Sequence, residues 1–82
     1  IELSPNYVDA YVNRGWAKTL IDDYAGGISD FNKAIELAPN NVLAYNNRAI
    51  AKELSGIDGC DDARKAKELG YNADELIGLI CN

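Results

Sequence analysis

Eighty-two residues with 48% hydrophobic content can form one small domain with a modest core and no more. A net charge of −5 excludes the clustered Lys and Arg that nucleic acid or an anionic membrane surface requires, and fits a solvated acidic surface facing a neutral or basic partner. His and Met are both absent, so no metal site or cofactor is expected, and no apolar run approaches the roughly 18 residues that span a bilayer.

Ile1-Glu2-Leu3 has the pattern of a helix's last turn, and Ser4-Pro5-Asn6 that of a turn in which Asn6 caps the next helix. Ile1 enters directly on repeat sequence, so no leader segment is expected and the chain reads as a piece of something longer. Val8, Tyr11, Val12, Trp16, Ala17 and Leu20 fall at helical spacing and predict a helix from about Tyr7 to Ile21. Asp22-Asp23 offers a cap to a second helix, about Tyr24 to Leu37, with Ile28, Phe31, Ala34 and Ile35 on one stripe. Ala38-Pro39-Asn40 ends it.

A third helix, about Asn41 to Leu54, copies the first, and Ser55-Gly56 breaks it. Asp58 suits the cap of a fourth helix, about Gly59 to Leu69, and Gly70 suits the residue just past its end. Leu20 and Ala34 are 14 positions apart, but Leu54 and Ala66 only 12, which predicts an inter-helix turn two residues shorter. Asn72 caps a short fifth helix, about Ala73 to Ile80, with Asp74 and Glu75 in its first turn. No stretch alternates with period two, so no strands are predicted.

Residues 1–18 set against residues 35–52 give 12 identities, all at an offset of 34. Self-similarity at a fixed period marks a stacked repeat. Tyr11, Gly15, Gly27, Phe31, Ala34 and Pro39 form a set, and Tyr45, Ala49, Gly59, Ala63, Ala66 and Tyr71 stand in the same places one unit later. This pattern resembles the tetratricopeptide repeat, in which small residues let two antiparallel helices approach and aromatic residues fill the space beside them. The resemblance implies an all-α fold of helix-turn-helix units stacked as a right-handed α-solenoid. The units are 8–41 and a shortened 42–72, with residues 1–7 the tail of a preceding repeat and 73–82 a capping helix. The second unit departs from the pattern at Ala63 and Tyr71, which suits a terminal unit; the alternative for the last helix is the truncated first helix of a third repeat.

Arg14 and Arg48 stand where the family pattern has Leu, with Asp30 and Asp62 in matching places on the partner helices. Two repeated ion pairs, Arg14–Asp30 and Arg48–Asp62, are predicted.

In such stacks the first helix of each unit lines a concave groove. The resemblance places Asp9, Val12, Asn13, Trp16, Thr19 and Leu20 there, along with Leu43, Asn46, Asn47, Ile50, Glu53 and Leu54 of the second unit. Asn13 and Asn47 lie one repeat apart and start an asparagine ladder whose amides both donate and accept. Such a ladder holds the backbone of an extended peptide, while Trp16 and Ile50 offer apolar pockets. The groove positions carry no Lys or Arg, which argues against a clamp for acidic carboxylate tails and for an apolar to mildly basic peptide. Trp16 can equally pack beneath a neighbouring repeat or another copy.

Cys60 and Cys81 are equidistant from the hairpin midpoint near Gly70–Tyr71 and lie at one end of it. They can form a disulfide in an oxidising compartment, extracellular or periplasmic, or remain two buried thiols in a reducing cytoplasm. With no His to act as base and no CxxC, neither is expected to be catalytic. The expected function is a non-enzymatic scaffold binding a protein or peptide. The alternative is a structural segment whose open ends stack on other copies.

Overall fold

The computed structural model describes residues 5–81. Among them the secondary structure is helical throughout: α1 (Pro5–Leu20), α2 (Tyr24–Leu37), α3 (Val42–Leu54), α4 (Cys60–Glu68) and α5 (Asp74–Ile80). Each helix packs against the next in sequence, and α1 also touches α3. The result is an all-α helical repeat measuring 43 × 28 × 14 Å.

The chain is already helical at Pro5, where a turn was expected. Proline in a first turn costs no helical hydrogen bond, because an N–H there has no partner within the helix. Asn6 therefore lies inside α1 rather than at its cap. The expected helix tail Ile1-Glu2-Leu3, and Ser4, lie outside the described residues. The caps of α2 and α3 are side chains: Asp23 Oδ1 accepts from the Gly26 N–H at 3.0 Å, and Asn41 Oδ1 from the Ala44 N–H at 3.0 Å.

The ends of α1, α3 and α4 share one device. The N–H two residues past the cap reaches back to a carbonyl five residues earlier: Asp23 to Lys18, Ile57 to Lys52, and Tyr71 to Ala66. Each closure turns on a left-handed residue, Asp22 (φ 67), Gly56 (φ 87) or Gly70 (φ 105). Gly70 is as expected. Asp22 stands one repeat before Gly56 and occupies, with a side chain, a place that suits glycine.

The core is narrow. Phe31 is the largest fully buried side chain, and Ala34, Ala44, Ala49, Ala51, Ala63 and Ala66 are also fully covered. Small residues permit this closeness. A Cβ on Gly15 would lie 2.7 Å from Phe31 Cε1 and 3.0 Å from the Gly27 carbonyl oxygen, so α1 and α2 cross at a glycine pair. Gly27 is thus a packing residue, as its neighbourhood in sequence suggested.

The two-residue shortening does not fall in the turn. Residues 21–23 join α1 to α2, whereas residues 55–59 join α3 to α4, a longer connection. What is lost is the first turn of α4: Gly27 lies inside α2, but its counterpart Gly59 only precedes α4. Gly59 is pressed against the Ala49 backbone, where a Cβ would collide with the carbonyl oxygen. Side chains stand in for the missing turn. Glu53 Oε2 accepts from the Gly59 N–H at 2.8 Å, and Asp58 Oδ1 from the Cys60 N–H at 2.9 Å. Asp58 therefore does cap, from one residue earlier than the cap position.

Cys60 and Cys81 form a disulfide with their Cα atoms 5.3 Å apart, so the two-thiol alternative does not hold in this structure. The bridge ties the start of α4 to the residue after α5. α5 begins three residues after Tyr71, as α3 begins three after Pro39. It thus has the starting register of a further unit's first helix, at a length of seven residues.

Candidate functional site

The first helices are held in place by two copies of one polar anchor. Arg14 donates from Nε and Nη2 to Asp30 at 2.9 and 2.7 Å, and Arg48 donates likewise to Asp62 at 2.8 and 2.7 Å. Both predicted pairs are present and bidentate, a geometry that fixes direction as well as distance. Each carboxylate also takes a lysine, Lys18 at 3.2 Å and Lys52 at 3.0 Å. These lysines were not anticipated from sequence, although they too recur at an offset of 34. The two guanidinium groups lie over the rings of Tyr11 and Tyr45, 5.6 Å from each centroid.

Electrostatics follow from burial. The Arg14 hydrogen bond holds the Asp30 carboxyl below the usual carboxylate range, with Lys18 adding to it against the opposing effect of burial. Burial pushes Asp62 upward most strongly, but the combined hydrogen bonds and charges of Arg48 and Lys52 outweigh it, and the net shift is downward. Of the Lys and Arg side chains described, all but Arg64 sit in an ion pair. Hence the described residues present no free cation cluster to an anionic ligand.

The predicted groove residues divide into three groups. Val12 is 5% exposed and belongs to the core with Val8, Phe31, Ala34, Ala44 and Ala51, so it is a packing residue and not a ligand contact. The cause is the close approach of α3 to α1. Thr19 is likewise buried and donates to the Gly15 carbonyl at 2.8 Å. Glu53 is half-buried and engaged with Gly59. By contrast Asp9, Asn13, Leu20, Leu43 and Leu54 are exposed, and Trp16, Asn47 and Ile50 are half-buried, with Trp16 resting on the core cluster. Leu20 and Leu54, one repeat apart, end α1 and α3 with large apolar side chains 65% and 57% exposed.

Asn46 is nearly buried and stands one repeat after Val12. It lines a cavity of about 250 Å³ with Ile50 from α3 and with Tyr71, Asn72, Ala73, Glu75, Leu76 and Leu79 from α5 and the turn before it. The wall supplied by α5 was not among the expected groove positions, although the last helix could be read as a truncated first helix of a third repeat as well as a cap. The register could have revealed it. Counting from Tyr71 as from Pro39, Leu79 matches Asn47 and Asn13, so α5 carries the third rung of the same row. A larger cavity of about 550 Å³ opens where α4 lacks its first turn, lined by Glu53, Asp58, Arg64 and the disulfide among others. There the Glu53 and Asp58 carboxylates are already taken by backbone N–H groups.

Among the described residues no group of His, Cys, Asp and Glu is arranged to hold a metal ion, and no helix is long and apolar enough to cross a membrane. A family model described as Tetratricopeptide repeat matches residues 31–67, from Phe31 in α2 through α3 to Lys67 in α4. No curated protein and no solved structure matches the chain.

Proposed function

From the premise that this is a tetratricopeptide-repeat segment, a kind of chain that serves in general as a protein-interaction scaffold, we propose that it holds an extended peptide across α1, α3 and α5. The observation that carries the reading is the row formed by matching positions of the three helices. Asn13 and Asn47 occupy two rungs and remain accessible, and Leu79, 78% exposed, occupies the third. The amides donate to and accept from a peptide backbone. Trp16, Ile50, Leu20 and Leu54 flank the row and receive apolar side chains.

The ligand is apolar to mildly basic. Asp9 and Glu75 are exposed at matching places along the same helices, and the cations that would attract an acidic tail are committed to Asp30 and Asp62. No nucleic acid or membrane surface fits that charge pattern. The bridged cysteines favour an oxidising compartment over the cytoplasm.

An array of extended peptides of varied charge tests this. Bound peptides are expected to be apolar or carry Lys and Arg, and Asn13→Ala/Asn47→Ala should weaken them by roughly tenfold or more, since two backbone-directed hydrogen bonds are lost. Undiminished binding in that double variant eliminates the ladder. Selection of acidic peptides eliminates the charge argument.

A further inference from the structure

Two features of the molecule meet in α5. It carries Leu79 of the row, and with Glu75 and Leu76 it walls the cavity that Asn46 and Ile50 line from α3. Yet little within α5 holds it there. The helix is seven residues long and none of its side chains is buried. A helix so short is marginal without tertiary support. Lys67 and Asp74 form an ion pair between two exposed side chains, which contributes little. The firm attachments lie just outside the helix at its two ends: buried Ala73 before it and the Cys60–Cys81 bridge after it.

The bridge is open to attack. Cys60 and Cys81 both border the hollow of about 550 Å³ where α4 lacks its first turn. Cys60 is buried and Cys81 is half-buried, so an incoming thiolate meets the Cys81 sulfur first. Cys60 opens α4, and Arg64, one helical turn on, borders the same hollow. A thiolate released at Cys60 is therefore favoured by the positive helix end and by a nearby guanidinium. Glu53 and Asp58 oppose this charge from the same hollow, but their carboxylates are bonded to the Gly59 and Cys60 N–H groups.

We propose that the Cys60–Cys81 bridge is an exchangeable disulfide that gates the peptide row by fixing or releasing α5, with a dithiol as its reductant. The gate rests on the reading of α1, α3 and α5 as one peptide-binding row. A thiolate of the dithiol attacks Cys81 Sγ and forms a mixed disulfide with it. The Cys60–Cys81 bond breaks, and its electron pair leaves on Cys60 Sγ, which takes a proton from water. The second sulfur of the dithiol, as its thiolate, then attacks the first and expels Cys81 as a thiolate, which is protonated in turn. Two electrons and two protons pass to the protein, and the dithiol becomes a cyclic disulfide. In the reduced chain α5 leaves its place and takes Leu79 and the cavity wall with it, so the row keeps only its two asparagine rungs. Reoxidation restores the third.

The test titrates a fluorescent peptide of alternating leucine and lysine into the full chain before and after treatment with dithiothreitol. Reduction should weaken binding by roughly tenfold, as the loss of one apolar anchor does, and reoxidation should restore it. Leu79→Ala should weaken the oxidised chain to a similar extent and leave the reduced chain unchanged, because the rung is already lost there. Release of α5 is read without any peptide by amide exchange, which on reduction should quicken by roughly tenfold or more in α5 and not in α1 or α2. Glutathione, a monothiol that stops at the mixed disulfide, should be found on Cys81 once the freed Cys60 thiol is alkylated. Glutathione on Cys60 overturns the order of attack. Equal affinity in the two redox states overturns the gate and leaves the asparagine rungs standing. Exchange that quickens equally in every helix also overturns it, since the bridge would then staple the whole fold. If the peptide fails to bind even the oxidised chain while α5 is released on reduction, the row falls and the exchangeable bridge stands.

Discussion

The two units share an anchor and differ in almost everything around it. In the first, Phe31 fills the space between α1 and α2 beside a glycine pair, and the Asp30 anchor faces an Arg14 that is mostly in water. In the second, Ala63 stands where Phe31 stood and α4 has lost its first turn, yet Arg48 is largely covered and takes a further acceptor from α2. The first unit is organised by a hydrophobic side chain. The second relies on a buried ion pair, backbone contact between Gly59 and Ala49, and a covalent bridge. A repeat can therefore keep its helix geometry while exchanging the forces that maintain it.

That contrast makes the second unit the one most sensitive to chemical conditions, and the largest effect should come from the disulfide. Closing a loop of 21 residues is worth about 3 kcal/mol. Reduction, or Cys60→Ser/Cys81→Ser, should lower stability by about that much in urea melts. Amide exchange should accelerate first in α5, a helix of seven residues with no buried side chain. Equal acceleration in α2 would show that the two units do not differ in this way.

A smaller effect should separate the two anchors. Asp62→Asn should cost about 2 kcal/mol at neutral pH, because it strips the charge from a largely buried acceptor of hydrogen bonds from Arg48 and Lys52. Asp30→Asn should cost less, because the solvated Arg14 is screened. Both aspartates titrate below the ordinary value of 3.8 in the folded chain, so the unfolded chain takes up protons first as pH falls. The anchors thus contribute fully above that value and fade as pH drops through the folded-state pKa values. Acid unfolding followed by circular dichroism should show a shallower loss in Asp62→Asn than in the parent. Equal costs for the two substitutions would remove the distinction.

The smallest effect has the opposite sign. Asp22→Gly should raise stability by about 0.5–1 kcal/mol, because a left-handed residue with a Cβ is replaced by one without. Gly56→Asp should lower it by a similar amount. If the pair of substitutions is silent in thermal melts, the matched helix ends are not under the same constraint.

Much of the fold was legible because repetition doubles every clue. Helix order, the Gly27 packing role and the pairing of Arg14 with Asp30 follow from residues that recur in register, and Gly70 at the end of α4 follows from the preference of helix ends for glycine. The failures lie where the register breaks. A two-residue deficit has the same length whether it is taken from a turn or from a helix, and the helix bounds decide between them, since α2 contains Gly27 while α4 begins only after Gly59. Val12 could not be told from a groove residue, because its burial depends on how closely α3 approaches α1. Leu79 and the cavity wall were overlooked because α5 resembles a cap in length and a repeat helix only in register.

The bridge also decides how the molecule transmits force. Tension between the two ends of the oxidised chain passes from Cys60 straight to Cys81, so α5 and the body of α4 carry no load. Even when their contacts break, the contour they contain is never released. Stretching the oxidised chain to its limit therefore yields about 70 Å less length than stretching the reduced one, given 21 residues at about 3.3–3.6 Å each. The oxidised molecule thus bears load through α1, α2 and α3 and ends in a tethered, mechanically silent segment.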